Sequence, residues 1–163
     1  MTKKLVFSGY YGFQNFGDDL FGLACSGGVR EFCSGFEAVI LSPPVPGLYC
    51  RFLVPEYLAD TYRASDWRGK ALRVYFMLYA ALRYRRVVLA GGSVLSSGTS
   101  NRMRNFQFLL ARLRLCRFSA IGVSVGPFDS PKVEMAARRF IDRLEYLSVR
   151  DTASVAECLR IKV

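Results

Sequence analysis

The sequence predicts a Rossmann-like α/β domain with three layers and a mainly parallel sheet. Short apolar runs alternate with longer amphipathic segments, which is the pattern of βαβ units. Four of the apolar runs end in glycine-bearing or polar turns, and ligands bind at the carboxyl ends of strands in an open α/β sheet. A chain of 163 residues is long enough to form one such domain around a hydrophobic core.

The elements follow one another in a regular order. The predicted strands are short apolar runs and cover residues 4–9, 37–41, 86–90, 119–124 and 146–149. The predicted helices have apolar residues at helical spacing and cover residues 19–31, 67–84, 102–116, 131–144 and 152–159. Four of the six prolines lie within residues 42–65, which we predict to be a long connection with little regular structure. Right-handed crossovers would join these elements into a single domain.

The composition indicates a globular protein with anionic partners. The net charge is +10, and 18 of the 23 basic residues are Arg, which favours phosphate or carboxylate metabolites, anionic lipid headgroups or nucleic acid. The sequence has no His, which excludes zinc sites and His-based triads within this chain. The five cysteines lack ligand spacing and are predicted to be reduced, mostly buried thiols. We therefore expect neither a metal site nor a cofactor.

We expect a cytoplasmic protein that is at most attached to the inner face of a membrane. Its most apolar helix candidate, residues 74–82, is far shorter than the ~20 residues that span a bilayer. The Arg-rich helix within residues 102–117 could contact a membrane or nucleic acid, although a solvated helix face is the commoner explanation. Nucleic acid is the least favoured partner, since no aromatic–basic pattern matches an RNA-binding module. Four aromatic residues are assigned to the core or to a domain interface: Trp67, Tyr75, Phe76 and Tyr79.

The first turn, residues 8–19, is the strongest candidate site. It holds three glycines, Asn15 and the acidic pair Asp18 and Asp19 between a strand and a helix. The spacing Gly9-x2-Gly12-x4-Gly17 matches neither a dinucleotide fingerprint nor a P-loop. Carboxylates at a helix start repel phosphate and suit a hydroxyl-rich ligand or a general base. The alternative is that both acids are N-caps, an alternative that is stronger for Asp19.

The next two turns follow the central strands. Gly91, Gly92 and Ser93 come directly after the third predicted strand, where free backbone amides could hold an anion or a sugar hydroxyl. The alternative is a tight turn whose serines cap the following helix. Ser124 precedes the Gly126-Pro127 turn, for which a structural role is favoured, and its hydroxyl could still reach a ligand from the strand end.

The fourth turn places Arg150 and Asp151 after the last predicted strand. Arg150 can form bidentate hydrogen bonds to a carboxylate or phosphate. Asp151 is predicted to cap the helix that begins at Thr152 and to orient Arg150. The alternative for Arg150 is a surface ion pair with Asp151, which would contribute little. Its position at a strand end favours a ligand role.

The four turns occur in one order along the chain. Together they resemble the N-terminal half of the polysaccharide pyruvyl transferases, and the resemblance covers nearly the whole chain. Its motifs are Gly9-Tyr10-Tyr11-Gly12-x2-Asn15-x-Gly17-Asp18, Gly91-Gly92-Ser93, Gly122-x-Ser124-x-Gly126-Pro127 and Ser148-Val149-Arg150-Asp151-x2-Ser154. The usual triple glycine of the second motif is Ala90-Gly91-Gly92 in this chain.

The resemblance implies an enzyme with a cleft between two Rossmann-like domains, as in GT-B glycosyltransferases. It implies transfer of pyruvate as a ketal from phosphoenolpyruvate to sugar hydroxyls of a cell-surface polysaccharide or a lipid-linked precursor. Arg150 would bind the donor, and Asp18 would line the acceptor side and act as base. The other residues expected to line the cleft are Gly12, Asn15, Gly17, Gly91, Gly92, Ser93 and Ser124.

The resemblance also implies that residues 1–163 form the N-terminal domain and that a C-terminal domain is absent from this chain. Members of the family use His and Arg of the second domain, so the chain alone is expected to be incomplete or inactive. Two alternatives remain open. The chain could be a GT-B domain that uses a nucleotide-sugar, or a non-catalytic saccharide-binding fragment.

Overall fold

A computed structural model describes residues 3–92, Leu95 and residues 101–163 of the chain. Within these residues, all neighbouring strands of the sheet pair in parallel, in the order β3-β2-β1-β4-β5-β6. This is the strand order of the Rossmann fold, which confirms the predicted fold class. The strands are β1 (Lys3–Ser8), β2 (Phe36–Ile40), β3 (Arg51–Phe52), β4 (Arg86–Ala90), β5 (Arg117–Val123) and β6 (Leu144–Val149).

Helices cover both faces of the sheet. The α-helices are α1 (Phe16–Phe32), α2 (Ala59–Arg63), α3 (Trp67–Tyr84), α4 (Asn101–Arg112), α5 (Pro131–Ile141) and α6 (Thr152–Ile161). A 3-10 helix, Glu56–Leu58, precedes α2. One core cluster joins the sheet to α3, α4 and α5, and the other joins it to α1. The two clusters give the three layers that the sequence predicts.

The central strands are buried on both faces because their side chains alternate between the two clusters. On β1, Val6 belongs to the cluster of α3, α4 and α5, whereas Phe7 belongs to the cluster of α1. Val39 and Ile40 divide in the same way on β2. This alternation explains why the strands are continuous apolar runs in the sequence.

The segment at residues 42–65 has more regular structure than the sequence predicts. Its two-residue strand β3 pairs with β2, with Arg51 opposite Val39 and Phe52 opposite Ile40. The 3-10 helix and α2 follow before α3 begins. These elements could not be predicted from the sequence. Strand β3 depends on pairing with a distant strand, and α2 has only five residues.

Two predicted boundaries also change. The helix predicted at 102–116 ends at Arg112, and Arg114 adopts a left-handed conformation with φ of 54°. Strand β5 begins at Arg117, since this residue pairs with Arg86 of β4. The helix therefore ends four residues earlier than predicted, and the strand begins two residues earlier.

The aromatic residues of α3 do not all lie in the core. Phe76 is buried, but Trp67, Tyr75 and Tyr79 are exposed in this chain. Of the five free cysteines, Cys116 is buried and the other four are partly buried. Burial raises the pKa of Cys116 to about 12. Over the described ranges, no helix combines the length and apolar character that crossing a bilayer requires.

Two helical glycines should respond to substitution in opposite directions. A Cβ at Gly69 in α3 would collide with the carbonyl oxygens of Ala64 and Thr61, whereas a Cβ at Gly27 in α1 would meet no atom within 4 Å. We expect Gly69→Ala to lower the free energy of unfolding by about 2 kcal/mol. Gly27→Ala, the matched control, should raise it by about 0.5–1 kcal/mol. Urea unfolding of both variants checks this, and shifts of the same sign would contradict it.

Candidate functional site

The turns after β4, β5 and β6 meet at the carboxyl edge of the sheet. Gly91 donates its amide hydrogen to Ile121 O at 3.0 Å, and Ser124 donates its amide hydrogen to Gly92 O at 3.1 Å. Arg150 in turn donates its amide hydrogen to Val123 O at 3.2 Å. The backbone thus joins three of the four predicted turns. The amide of Gly91 is used in this way, so it is not a free donor for a ligand as the sequence suggested.

Asn15 organises the start of α1. Its Oδ1 accepts a hydrogen bond from Gly17 N at 3.2 Å, and its Nδ2 donates to Asp18 Oδ2 at 2.6 Å. The N-cap is therefore Asn15, and the alternative prediction that Asp18 and Asp19 are the caps is wrong. Asp18 lies in the first turn of the helix, near the positive end of its dipole.

Asp19 and Gly12 have structural roles in the first turn. Asp19 Oδ1 accepts a hydrogen bond from Gly12 N at 2.7 Å, and Gly12 O accepts one from Arg63 Nε at 2.5 Å. Gly12 is buried and has a left-handed φ of 76°, which favours glycine. Tyr11 Oη donates to Ala90 O at 2.7 Å in the interior. These bonds fix the turn to α2 and to the end of β4.

The ring of Phe21 leaves little room for a side chain at two glycine positions of this edge. A Cβ at Gly91 would lie 2.5 Å from Phe21 Cγ, and one at Gly122 would lie 3.3 Å from Phe21 Cε1. Both glycines have positive φ, 73° and 58° respectively. Sequence reasoning missed Phe21, because an apolar residue in a helix carries no signal that it packs on distant glycines.

The second turn packs against the first turn at Gly92, which has no side chain. A Cβ at Gly92 would lie only 3.2 Å from Asp18 Oδ1, so the glycine leaves room for the carboxylate. Its φ of 70° also favours glycine. Ser93, the remaining predicted residue of this turn, lies outside the described residues.

Asp18 interacts electrostatically with Arg150, although the two residues lie near opposite ends of the chain. Burial raises the pKa of Asp18 above 3.8, the neighbouring Asp19 raises it further, and Arg150 opposes both effects. A carboxyl group whose pKa is raised toward neutrality is better suited to accept a proton than an ordinary surface Asp. The charge of Arg150 therefore influences the Asp18 carboxyl group across this edge.

The last turn is built around Asp151. Its Oδ1 accepts a hydrogen bond from Ser154 N at 2.7 Å and caps α6, as predicted. Its Oδ2 lies 3.4 Å from Arg150 Nε and accepts from Ser124 Oγ at 3.4 Å. Ser154 Oγ accepts from Val125 N at 2.9 Å. The hydrogen bond from the Ser154 amide is the main cause that lowers the pKa of Asp151.

Arg150 remains accessible at this edge. Its side chain is 46% exposed, and its ion pair with Asp151 is likewise exposed, so the pair itself contributes little. The contact through Nε instead holds the guanidinium group at the same Asp151 oxygen that accepts the Ser124 hydroxyl. A planar, permanently charged donor in this position can bind a carboxylate or phosphate.

The predicted residues form an open edge. A groove of about 880 Å³ lies elsewhere, between α1 and the strands β2 and β3. Its lining includes Leu23, Arg30, Cys33, Leu48 and Cys50, but none of the predicted site residues. The candidate site is therefore the open edge that holds Asp18 and Arg150, and the groove is separate from it.

Fold and geometry together define a Rossmann-like domain whose polar turns meet at the carboxyl ends of its strands. The chain belongs to the polysaccharide pyruvyl transferase family, whose model matches residues 15–163. It is also similar to the crystal structure of a protein of unknown function from Vibrio parahaemolyticus. That likeness has 10% identity and a TM-score of 0.40, and it covers 93% of this chain and 94% of the other. No curated protein matches the chain well enough to count as a relative.

The raised pKa of Asp18 predicts a pH-dependent gain of stability on its replacement. The folded state binds this proton more tightly than the unfolded state, so the ionised carboxylate costs stability above the unfolded pKa near 3.8. Asp18→Asn should therefore stabilise the fold at neutral pH, with a gain that disappears as the pH falls below that value. An Asn in this position can still accept the hydrogen bond from Asn15 Nδ2.

Urea unfolding of both proteins near neutral pH and near roughly pH 3 measures this difference. Asp60→Asn is the matched control, because the Asp60 carboxylate is fully exposed on α2. It should change the stability little at either pH. Equal destabilisation by Asp18→Asn at both pH values would contradict the expected linkage.

Proposed function

We propose that the chain provides the acceptor side and a donor-binding arginine of a polysaccharide pyruvyl transferase. In this proposal pyruvate is transferred as a ketal from phosphoenolpyruvate to sugar hydroxyls of a cell-surface polysaccharide or lipid-linked precursor, on the cytoplasmic side of the membrane. Family membership supports the reaction class. The observation that carries the assignment of residues is the convergence of the turns at one edge, where Asp18 lies against Gly92 and the charge of Arg150 acts on the pKa of Asp18.

Asp18 is proposed as the base for the attacking hydroxyl. The sugar oxygen forms a bond to C2 of phosphoenolpyruvate, its proton passes to Asp18, and a general acid protonates the methylene carbon. The raised pKa of Asp18 supports a role in accepting a proton. In the second half of the reaction the C2–O bond to phosphate breaks, a neighbouring sugar hydroxyl forms the second bond to C2 and closes the ketal, and the proton of that hydroxyl passes to the departing phosphate.

Arg150 is proposed to bind the carboxylate or phosphate of phosphoenolpyruvate. Its half-exposed guanidinium and the nearby Ser124 hydroxyl support this role. The polar turns around Asn15 and Gly92 would then face the saccharide. A second Rossmann-like domain is proposed to form the opposite wall of a GT-B-like cleft and to supply the general acid.

Replacement of Arg150 should weaken donor binding. Loss of a charge-assisted hydrogen-bond donor costs about 1.5–3 kcal/mol, so Arg150→Ala should reduce the affinity for phosphoenolpyruvate by about tenfold to a hundredfold. Calorimetric titration of the chain with phosphoenolpyruvate measures this affinity. Arg160→Ala is the matched control, because Arg160 pairs with Glu134 and Glu157 away from Asp18.

The control variant should retain the affinity of the unaltered protein. Unchanged phosphoenolpyruvate affinity in Arg150→Ala would exclude the donor-binding role. Titration with a nucleotide-sugar distinguishes the glycosyltransferase alternative, since ketal formation requires no nucleotide. Saccharide binding without either donor would indicate a binding domain.

A further inference from the structure

Helix α3 has apolar residues on both its inner and its outer face. Phe76, Met77 and Ala80 are buried in the core. On the outer face, Trp67 is 72% exposed, Tyr75 is 59% exposed and Leu82 is 52% exposed. The outer face of a surface helix is ordinarily polar, so this helix has an apolar surface that the domain itself does not cover.

The charged residues of α3 are all cations, and the acidic Asp66 precedes the helix as its N-cap. Over its 18 residues α3 contains no Asp or Glu. Exposed cations flank the apolar side chains at Arg68, Lys70 and Arg83, and Arg85 and Arg86 follow directly. The Arg68 guanidinium lies 5.7 Å from the Trp67 ring, so charge and aromatic surface are adjacent at the start of the helix.

We infer that the outer face of α3 docks on a bilayer surface that carries anionic lipids. Trp, Tyr and Leu side chains enter the boundary between headgroups and acyl chains, while Arg and Lys reach the negative headgroups. Each cation near such a surface adds to the attraction, which salt screens. The charge of the face and the net charge of +10 are complementary to this occupant. The assignment does not depend on the proposed reaction.

Helix α4 has a similar mixture of exposed residues. It packs in the same core cluster as α3, on the same side of the sheet. Leu109 is exposed on α4, and Leu113 and the exposed Arg112 lie at its carboxyl end. This mixture of Leu and Arg is similar to that of α3. The docking face itself is the outer face of α3.

Trp67 reports docking directly, because it is the sole tryptophan of the chain. Its fluorescence should shift to shorter wavelength when vesicles of equal parts phosphatidylglycerol and phosphatidylcholine are added. Phosphatidylcholine alone should produce little shift, and added salt should reverse the effect. Lipids brominated on their acyl chains should quench the emission if the indole enters the bilayer boundary.

Paired variants assign the binding to this face. Arg68→Glu with Arg83→Glu should lower the vesicle partition coefficient by about tenfold or more. Arg30→Glu with Arg51→Glu makes the same change of charge on exposed residues outside the docking face and should have a much smaller effect. Tyr75→Ser with Leu82→Ser should also weaken binding, whereas Tyr49→Ser, in a loop next to β3, should not.

Three results would overturn the inference. The first is unchanged Trp67 emission in the presence of the anionic vesicles. The second is an equal loss of binding in both charge-reversed pairs, which would indicate attraction by net charge without a specific face. The third is a shift of emission with protein concentration in the absence of lipid, which would show that a second copy of the chain covers the helix.

Discussion

The parallel register of the sheet is the constraint on which the candidate site depends. Because neighbouring strands end at the same edge, the amides of Gly91, Ser124 and Arg150 each find a carbonyl on an adjacent turn or strand. These bonds fix the three turns relative to one another with backbone atoms alone. The side chains of the site are thereby held on a rigid edge, which is what preorganised binding requires.

The charge state of Asp18 results from competing effects at this edge. The amino end of α1 favours a carboxylate through its dipole, and the hydrogen bond from Asn15 Nδ2 does the same. Burial and the charge of Asp19 disfavour the ionised form of Asp18, and the charge of Arg150 partly offsets their effect on its pKa. The net effect raises the pKa of Asp18, so the ionised carboxylate lowers the stability of the folded state. Such a cost is common at functional sites.

The sequence predicted the layers and the edge because both follow from local patterns. Apolar runs mark the strands, and glycines with polar residues mark the turns that follow them. The contacts that complete the site could not be predicted in this way. Phe21 packs on Gly91 and Gly122, and Arg63 bonds Gly12, and each contact joins residues that are distant in the sequence. The two-residue strand β3 was missed for the same reason.

The exposure of the outer face of α3 could not be predicted from the sequence either. The sequence pattern assigned the aromatic residues of this helix to the core or to a domain interface, and only the packing reveals that Trp67 and Tyr75 are exposed in this chain. The helix follows β3 and ends where β4 begins, so its amino end lies toward the carboxyl edge of the sheet. In the proposed docking, the amino end of α3, with Trp67, would therefore be the end of the helix nearer to the edge that holds Asp18 and Arg150. The two proposals are linked through the direction of this one helix.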